Sequence, residues 1–221
     1  MQKKTSSNPF EYENNFYHTC DTSRIGKAIA HYELYKLSKD IPGEIVECGV
    51  FKGVSLIRFA MFRELFSIST AKKIIGFDVF SSFPKTKFSQ DQNSRKKFIS
   101  DAGNTSIKIT QLQNILKRKK IDNNIELIKG DITKTVPDYV KKHPELKISL
   151  LNVDVDIYEP SVTILENLFP LVSKGGVIIF DDYGVFPGET KAVDDFLKKS
   201  KNEIKKIPFS KTPSYIIKKD F

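Results

Sequence analysis

Short apolar runs and longer stretches of helical spacing alternate along this chain. Glu44 to Cys48, Lys73 to Phe77, Ile125 to Ile128, Ile148 to Val153 and Val177 to Phe180 are dominated by apolar residues and show no clean in-and-out alternation. Runs of that kind read as strands buried on both faces of a parallel sheet. Between them, apolar residues recur at helical spacing. Residues 23–39 place Ile25, Ala28, Ile29, Tyr32, Leu34 and Tyr35 in this way, with Thr22 or Ser23 as candidate cap and Pro42-Gly43 as the break. Ser55 to Phe66, Ile107 to Lys120, Val136 to Lys142, Val162 to Leu171 and Thr190 to Lys199 read as further helices. Strands alternating with helices predict an α/β fold, a mostly parallel central sheet with helices on both faces. Ile204 to Lys206 and Tyr215 to Lys218 are expected to add a terminal antiparallel pair. Residues 1–22 read as polar and irregular, although they carry Phe10, Tyr12, Phe16 and Tyr17. Residues 81–106 form a long polar stretch with Pro84 and Gly103, and loops of that length are usually functional or partly helical.

Composition narrows the class. With 221 residues, 39% hydrophobic and 29% charged, the chain suits one folded domain and is not disordered. Its apolar runs fall short of the roughly 20 residues of a membrane span, and its start has no apolar secretory core. The expectation is therefore a cytoplasmic protein without membrane insertion. Cys20 and Cys48 are too few for a disulfide framework or a Cys-rich zinc site. The net charge of +9 comes mostly from scattered lysines, with Arg24, Arg58, Arg63, Arg95 and Arg118 as the arginines. Few arginines and no aromatic-interleaved basic stripe argue against nucleic-acid binding, while the charge favours an acidic small-molecule partner.

The strand ends carry the candidate chemistry. In open α/β sheets, ligands bind beyond the carboxyl ends of the strands. Here those ends hold Glu47, Asp78, Asp131, Asp154, Asp156, Asp181 and Asp182. Gathered on one rim, unpaired carboxylates would repel one another, and a cation or a cationic, hydroxyl-rich ligand would relieve them. Gly49 follows the first strand directly, where a ligand can approach the backbone. Asp78, at the end of the next strand, stands where a carboxylate commonly grips ribose hydroxyls. Asp131 can accept a hydrogen bond from an exocyclic amine or form an ordinary Asx turn. Asp154 with Asp181 and Asp182 makes a hard-oxygen site suited to Mg²⁺, with Ca²⁺ or Mn²⁺ as alternatives. Asp181-Asp182 also suits turn or helix capping.

Taken in order, several motifs resemble the macrocin O-methyltransferase family. They are Glu47-Cys48-Gly49-Val50-x-x-Gly53-x-Ser55, Gly76-Phe77-Asp78-x-Phe80, Lys129-Gly130-Asp131, Asp154-x-Asp156-x-Tyr158, Gly175-Gly176, Asp181-Asp182-Tyr183-Gly184, Gly188 and Ala192-Val193-Asp194. The resemblance runs over residues 43–197. It implies a Rossmann-like class I methyltransferase fold, S-adenosylmethionine and Mg²⁺ as cofactors, and a sugar or glycoside hydroxyl as acceptor. By the same resemblance, Glu47, Gly49, Gly53 and Ser55 line the methionine moiety, Asp78 holds the ribose, and Asp131 with the Ile132 backbone reads the adenine. Asp154, Asp181 and Asp182 would bind Mg²⁺, much as two aspartates and an asparagine do in catechol O-methyltransferase. Asp156 is the candidate general base beside Asp154; the catechol enzyme uses a lysine near that point, and the sequence shows none there. Residues 1–40 and 81–106 resemble the family poorly. They are expected to cover the acceptor site and to act as a lid on a methyltransferase domain spanning 41–221. Family members commonly associate, so a homodimer is expected.

Other classes explain less. Asp154-x-Asp156 also resembles the DxD of metal-dependent nucleotide-sugar glycosyltransferases, which would leave the glycine turn and Asp181-Asp182 unused. Tyr32-x-x-x-Lys36 has the spacing of a short-chain reductase pair but precedes the glycine turn. His31 reads as a packing or surface residue, His143 as a surface turn, and His18 as a residue of the N-terminal segment that could fold over the site.

Overall fold

Five parallel strands make the frame: β1 (Glu44–Cys48), β2 (Ile74–Asp78), β3 (Ile125–Lys129), β4 (Ile148–Val153) and β5 (Val172–Phe180). The structure, a computed structural model, describes residues 8–66 and 72–219. β6 (Lys205–Lys206) and β7 (Ser214–Ile217) complete a seven-stranded sheet of order β3-β2-β1-β4-β5-β7-β6, with β7 antiparallel to both neighbours. The expected parallel sheet and terminal antiparallel pair are both present.

The unbroken apolar runs have a direct explanation. Neighbouring strand residues go to opposite faces, and both faces are covered. Ile45, Ile74, Leu150 and Val177 join the core on one face, whereas Val46, Ile75, Leu151 and Ile178 join the core on the other. The first face is closed by α2 (Thr22–Ser38), α3 (Val54–Leu65) and α5 (Ile109–Arg118), through Leu34, Phe59 and Leu112. The second is closed by α6 (Ile132–Lys142), α7 (Tyr158–Asn167) and α8 (Pro187–Leu197), through Val136, Ile164 and Val193.

Several bounds differ from the sequence expectation, while residues 81–106 are partly helical, as their length suggests. Residues 9–19 are not irregular: Pro9–Thr19 is a helix, α1, with Pro9 in its first turn and the Asn8 side chain accepting from Phe10 N at 3.1 Å. None of its residues is buried, so no apolar stripe announced it. α6 begins at Ile132 rather than Val136, because Asp131 caps it. Residues 81–106 contain α4 (Asp91–Ala102), and Arg95 ties the segment together by donating to Pro84 O at 2.6 Å and Phe83 O at 2.8 Å. Residues 1–7, part of the N-terminal segment, lie outside the described residues. Among the described residues, no helix is long and apolar enough to cross a membrane.

The sheet changes winding direction between β1 and β4. Connections run outward from there, β1 to β3 on one side and β4 to β5 on the other, so a crevice opens at the carboxyl ends of these strands.

Candidate active site

A cavity of about 710 Å³ occupies that crevice. Gly49 forms its hinge. Its φ is +92°, and a Cβ there would stand 1.7 Å from Asp154 O, so the turn after β1 lies directly on the backbone after β4. The turn is clamped by Asp78, whose Oδ2 accepts from Val50 N and Phe51 N, both at 2.9 Å, and whose Oδ1 accepts from Phe80 N at 2.5 Å. Asp78 thus holds two tight turns and still faces the cavity. Asp131, Ile132 and Thr133 line the cavity further along; the Asp131 Oδ1 accepts from Thr133 N at 3.0 Å and Thr133 Oγ1 at 2.8 Å.

Gly49 and Ser55 line the cavity, whereas Glu47 and Gly53 sit behind it. Glu47 is fully buried, accepts from Ser55 Oγ at 2.8 Å, and is pushed up to about 8 by burial. Gly53, at φ +81°, caps α3, and a Cβ there would meet Leu112 Cδ1 at 2.8 Å.

The acid cluster forms the cavity floor. Asp154, Asp181 and Asp182 each offer a carboxylate oxygen, all within 4.8 Å of one another. Burial, compounded by the charges of neighbouring aspartates, pushes Asp154 and Asp182 well above the usual carboxylate range. Asp156 is pushed up by burial and by Asp154, and it shares a hydrogen bond with Asp182. Its backbone is left-handed, φ +64°, an uncommon conformation for a residue with a side chain. Asp181 behaves oppositely. Burial would raise it, but Lys27 and His31 outweigh burial and hold it well below its ordinary value.

Lys27 and His31 were not legible as site residues. The linear sequence shows no lysine near the acid cluster, yet α2 brings Lys27 Nζ onto Asp181 Oδ2 and His31 Nε2 to 3.4 Å from Asp181 Oδ1. The two lie four residues apart and so share one helix face. His31 is buried rather than exposed, stacks on Phe59 with ring centroids 5.1 Å apart, and has its Nδ1 3.1 Å from Arg58 Nη1. Arginine only donates, so Nδ1 accepts and the imidazole hydrogen sits on Nε2, facing the carboxylate. Burial holds His31 below its ordinary value and neutral, while Asp181, Asp154 and Asp182 overcome the burial of Lys27 and keep it charged. His18 is exposed and is not among the cavity residues.

Two further buried carboxylates brace the floor. Glu189 accepts from Asp182 N at 3.0 Å. Asp91, at the start of α4, accepts from Tyr158 N at 3.0 Å and Gly188 N at 2.7 Å, tying the 81–106 segment to the backbone beside Asp156. Gly188 is required there, since a Cβ would stand 2.1 Å from Asp91 Oδ2. Neither acid ends a strand, so the strand-end rule passed over both.

The sheet order, the glycine hinge between β1 and β4, and the clamped acid ending β2 define a class I methyltransferase fold. CalS11, described as a calicheamicin methyltransferase, superposes with a TM-score of 0.79 at 26% identity, over 98% of this chain and 88% of that one. The O-methyltransferase NovP shares the fold, with a TM-score of 0.72 at 22% identity over 90% of this chain and 80% of that one. The family model Macrocin-O-methyltransferase (TylF) matches residues 28–211, and the chain belongs to that family. Among curated relatives, a tetracenomycin rhamnosyl 4'-O-methyltransferase of Streptomyces olivaceus is 26% identical over 67% of this chain and 56% of its own length. Demethyldecarbamoylnovobiocin O-methyltransferase of Streptomyces niveus is 25% identical over 74% of this chain and 61% of its own length. The chain thus spans about three fifths of the curated relatives it matches.

Proposed function

We propose that this protein transfers the methyl group of S-adenosylmethionine to a hydroxyl of a sugar or glycoside, with Mg²⁺ as a second cofactor. The observation that carries this reading is one cavity that joins the hinge at Gly49, Asp78 and Asp131 to the floor of Asp154, Asp156, Asp181 and Asp182. The rhamnosyl specificity named for the Streptomyces olivaceus relative supports a sugar acceptor. The sugar itself is free or joined to a nucleotide, a surface polysaccharide or another glycoside.

The residues fit these groups. Gly49 leaves the backbone bare where the methionine moiety would lie, Ser55 stands beside it, and Asp78 and Asp131 face the positions for ribose and adenine. Asp154, Asp181 and Asp182 would hold Mg²⁺, since closely set carboxylates are the donors a hard cation takes. When bound, that ion lowers the pKa of an acceptor hydroxyl. In the transfer, the sulfur–methyl bond breaks as an oxygen–methyl bond forms, leaving S-adenosylhomocysteine, and the hydroxyl proton passes to Asp156. Asp156 lines the same cavity floor two residues beyond Asp154, which places its carboxylate among the groups able to take that proton. The rest of the acceleration comes from holding oxygen and methyl in line.

Calorimetry with S-adenosylhomocysteine tests the reading. Micromolar binding is expected, together with methylation of an acceptor sugar that EDTA abolishes. Absence of binding would refute the methyl-transfer reading, and methylation that persists in EDTA would refute its metal component.

A further inference from the structure

We propose that the acceptor sugar carries a phosphate or diphosphate ester, which Arg24, Lys85 and Lys87 hold at the cavity mouth. This inference rests on the methyl-transfer reading of the same site.

Asp154, Asp156, Asp181 and Asp182 make the cavity floor, whereas Arg24, Lys85 and Lys87 are exposed residues that still line the cavity. Their positions relative to the floor are set by the fold. Arg24 precedes Lys27 by three residues on α2, so it shares that helix face about one turn, ~5 Å, further from the floor that Lys27 touches. Lys85 and Lys87 flank Thr86, which is buried and donates Oγ1 to Glu159 Oε2 at 2.9 Å. Lys87 N donates to Glu159 Oε1 at 2.6 Å. Gln92 Nε2 donates to Thr86 O at 2.9 Å. The two lysines therefore project from backbone tied to Glu159, three residues beyond Asp156.

The other cavity cations are already engaged. Lys27 pairs with Asp181, Arg58 binds His31, and Lys52 donates to Thr105 O. Glu159 is the acid beside the lysine pair, and both its oxygens accept hydrogen bonds from that segment. Among the described residues, Arg24, Lys85 and Lys87 have no side-chain hydrogen bond or ion pair. The methyl donor does not call for them: it brings one carboxylate against a sulfonium and an ammonium, so it is a net cation. An acceptor with hydroxyls at one end and a phosphate at the other matches both zones, and clustered cations raise the local concentration of such an anion.

The test measures binding of dTDP, UDP, glucose 1-phosphate and inorganic pyrophosphate to the full chain saturated with S-adenosylhomocysteine. EDTA is present, so that a metal at the acid cluster cannot recruit the phosphates. At least one of these anions is expected to bind at micromolar to sub-millimolar concentration, to weaken as NaCl rises from 50 to 300 mM, and to weaken at least tenfold in the double variant K85E/K87E and in R24E. S-adenosylhomocysteine affinity is expected to stay unchanged in both variants. Preference for dTDP or UDP would identify a nucleotide-linked sugar, and equal binding of the simple phosphates a sugar phosphate. Normal S-adenosylhomocysteine binding with no anion bound, or anion binding indifferent to both variants, would overturn the inference alone. Failure of S-adenosylhomocysteine to bind would overturn the methyl-transfer reading beneath it.

Discussion

Gly49→Ala tests the hinge on which the site is built. Two costs arise at that position. At φ +92° a side chain is strained, worth about 1–3 kcal/mol. The new Cβ would also have to withdraw from 1.7 Å to at least 3.0 Å from Asp154 O, a shift of about 1.3 Å of backbone against backbone. Overpacking of that kind costs roughly a further 1–3 kcal/mol. For a domain of this size each kcal/mol lowers Tm by about 2–4 °C, so a fall of roughly 5–20 °C is expected. Gly184→Ala is the control: φ is +81°, but no heavy atom lies within 4 Å of its would-be Cβ. It should bear only the same backbone cost, about 1–3 kcal/mol, or roughly 2–12 °C, without the added overpacking. Thermal unfolding by circular dichroism measures both variants, and calorimetry measures S-adenosylhomocysteine affinity. Displacing the hinge by about 1 Å should weaken that affinity or the methylation rate on the order of 100-fold in Gly49→Ala and leave Gly184→Ala near wild type. Equal Tm losses in the two variants would refute the close approach of β1 to β4 as the reason for glycine.

Two further outcomes follow from the buried charges. Burial lifts Glu47 from its ordinary 4.5 to about 8, so the folded state holds the proton more tightly than the unfolded chain. The stability this contributes is complete below about pH 4.5 and is lost as pH rises through about 8. Glu47→Gln keeps an acceptor for Ser55 Oγ; its Tm should fall less than that of wild type from pH 5 to 9, and parallel profiles would refute the assignment. Lys27→Met leaves Asp181 buried without its ammonium partner. Lys27 keeps 27% of its side-chain surface exposed, so the loss should sit near the low end for a broken buried pair, roughly 3 kcal/mol. MgCl₂ should raise the Tm of both proteins by mass action, and more so in Lys27→Met, where no ammonium competes for Asp181; Tm values indifferent to Mg²⁺ in both would argue against a cation site at this cluster.

Much of the sheet was legible because each strand carries consecutive apolar residues destined for opposite, equally dry faces, as Ile45 and Val46 show. The acids at strand ends were legible for a related reason: in a doubly wound sheet, position along a strand is also position relative to the crevice. Lys27, His31 and Asp91 escaped because they reach the site from helices outside the strand ends. Lys27 and Asp181 are 154 residues apart in sequence, and no local spacing encodes that contact. Helix α1 escaped for the opposite reason: with nothing buried, it lacks the apolar periodicity that marks a core-facing helix.

The grip of α2 on Asp181 bears on how new acceptor preferences can be engineered. Because the N-terminal region and residues 81–106 both line the cavity from outside the strands, they invite exchange between relatives as interchangeable modules. Yet α2 also supplies Ala30, Leu34 and Tyr35 to the core, and Lys27 with His31 to a carboxylate of the cavity floor. A transplanted helix lacking an ammonium and an imidazole four residues apart would leave Asp181 without its buried donors. Chimeras built on this chain should therefore be joined after α2, or carry both side chains across the junction.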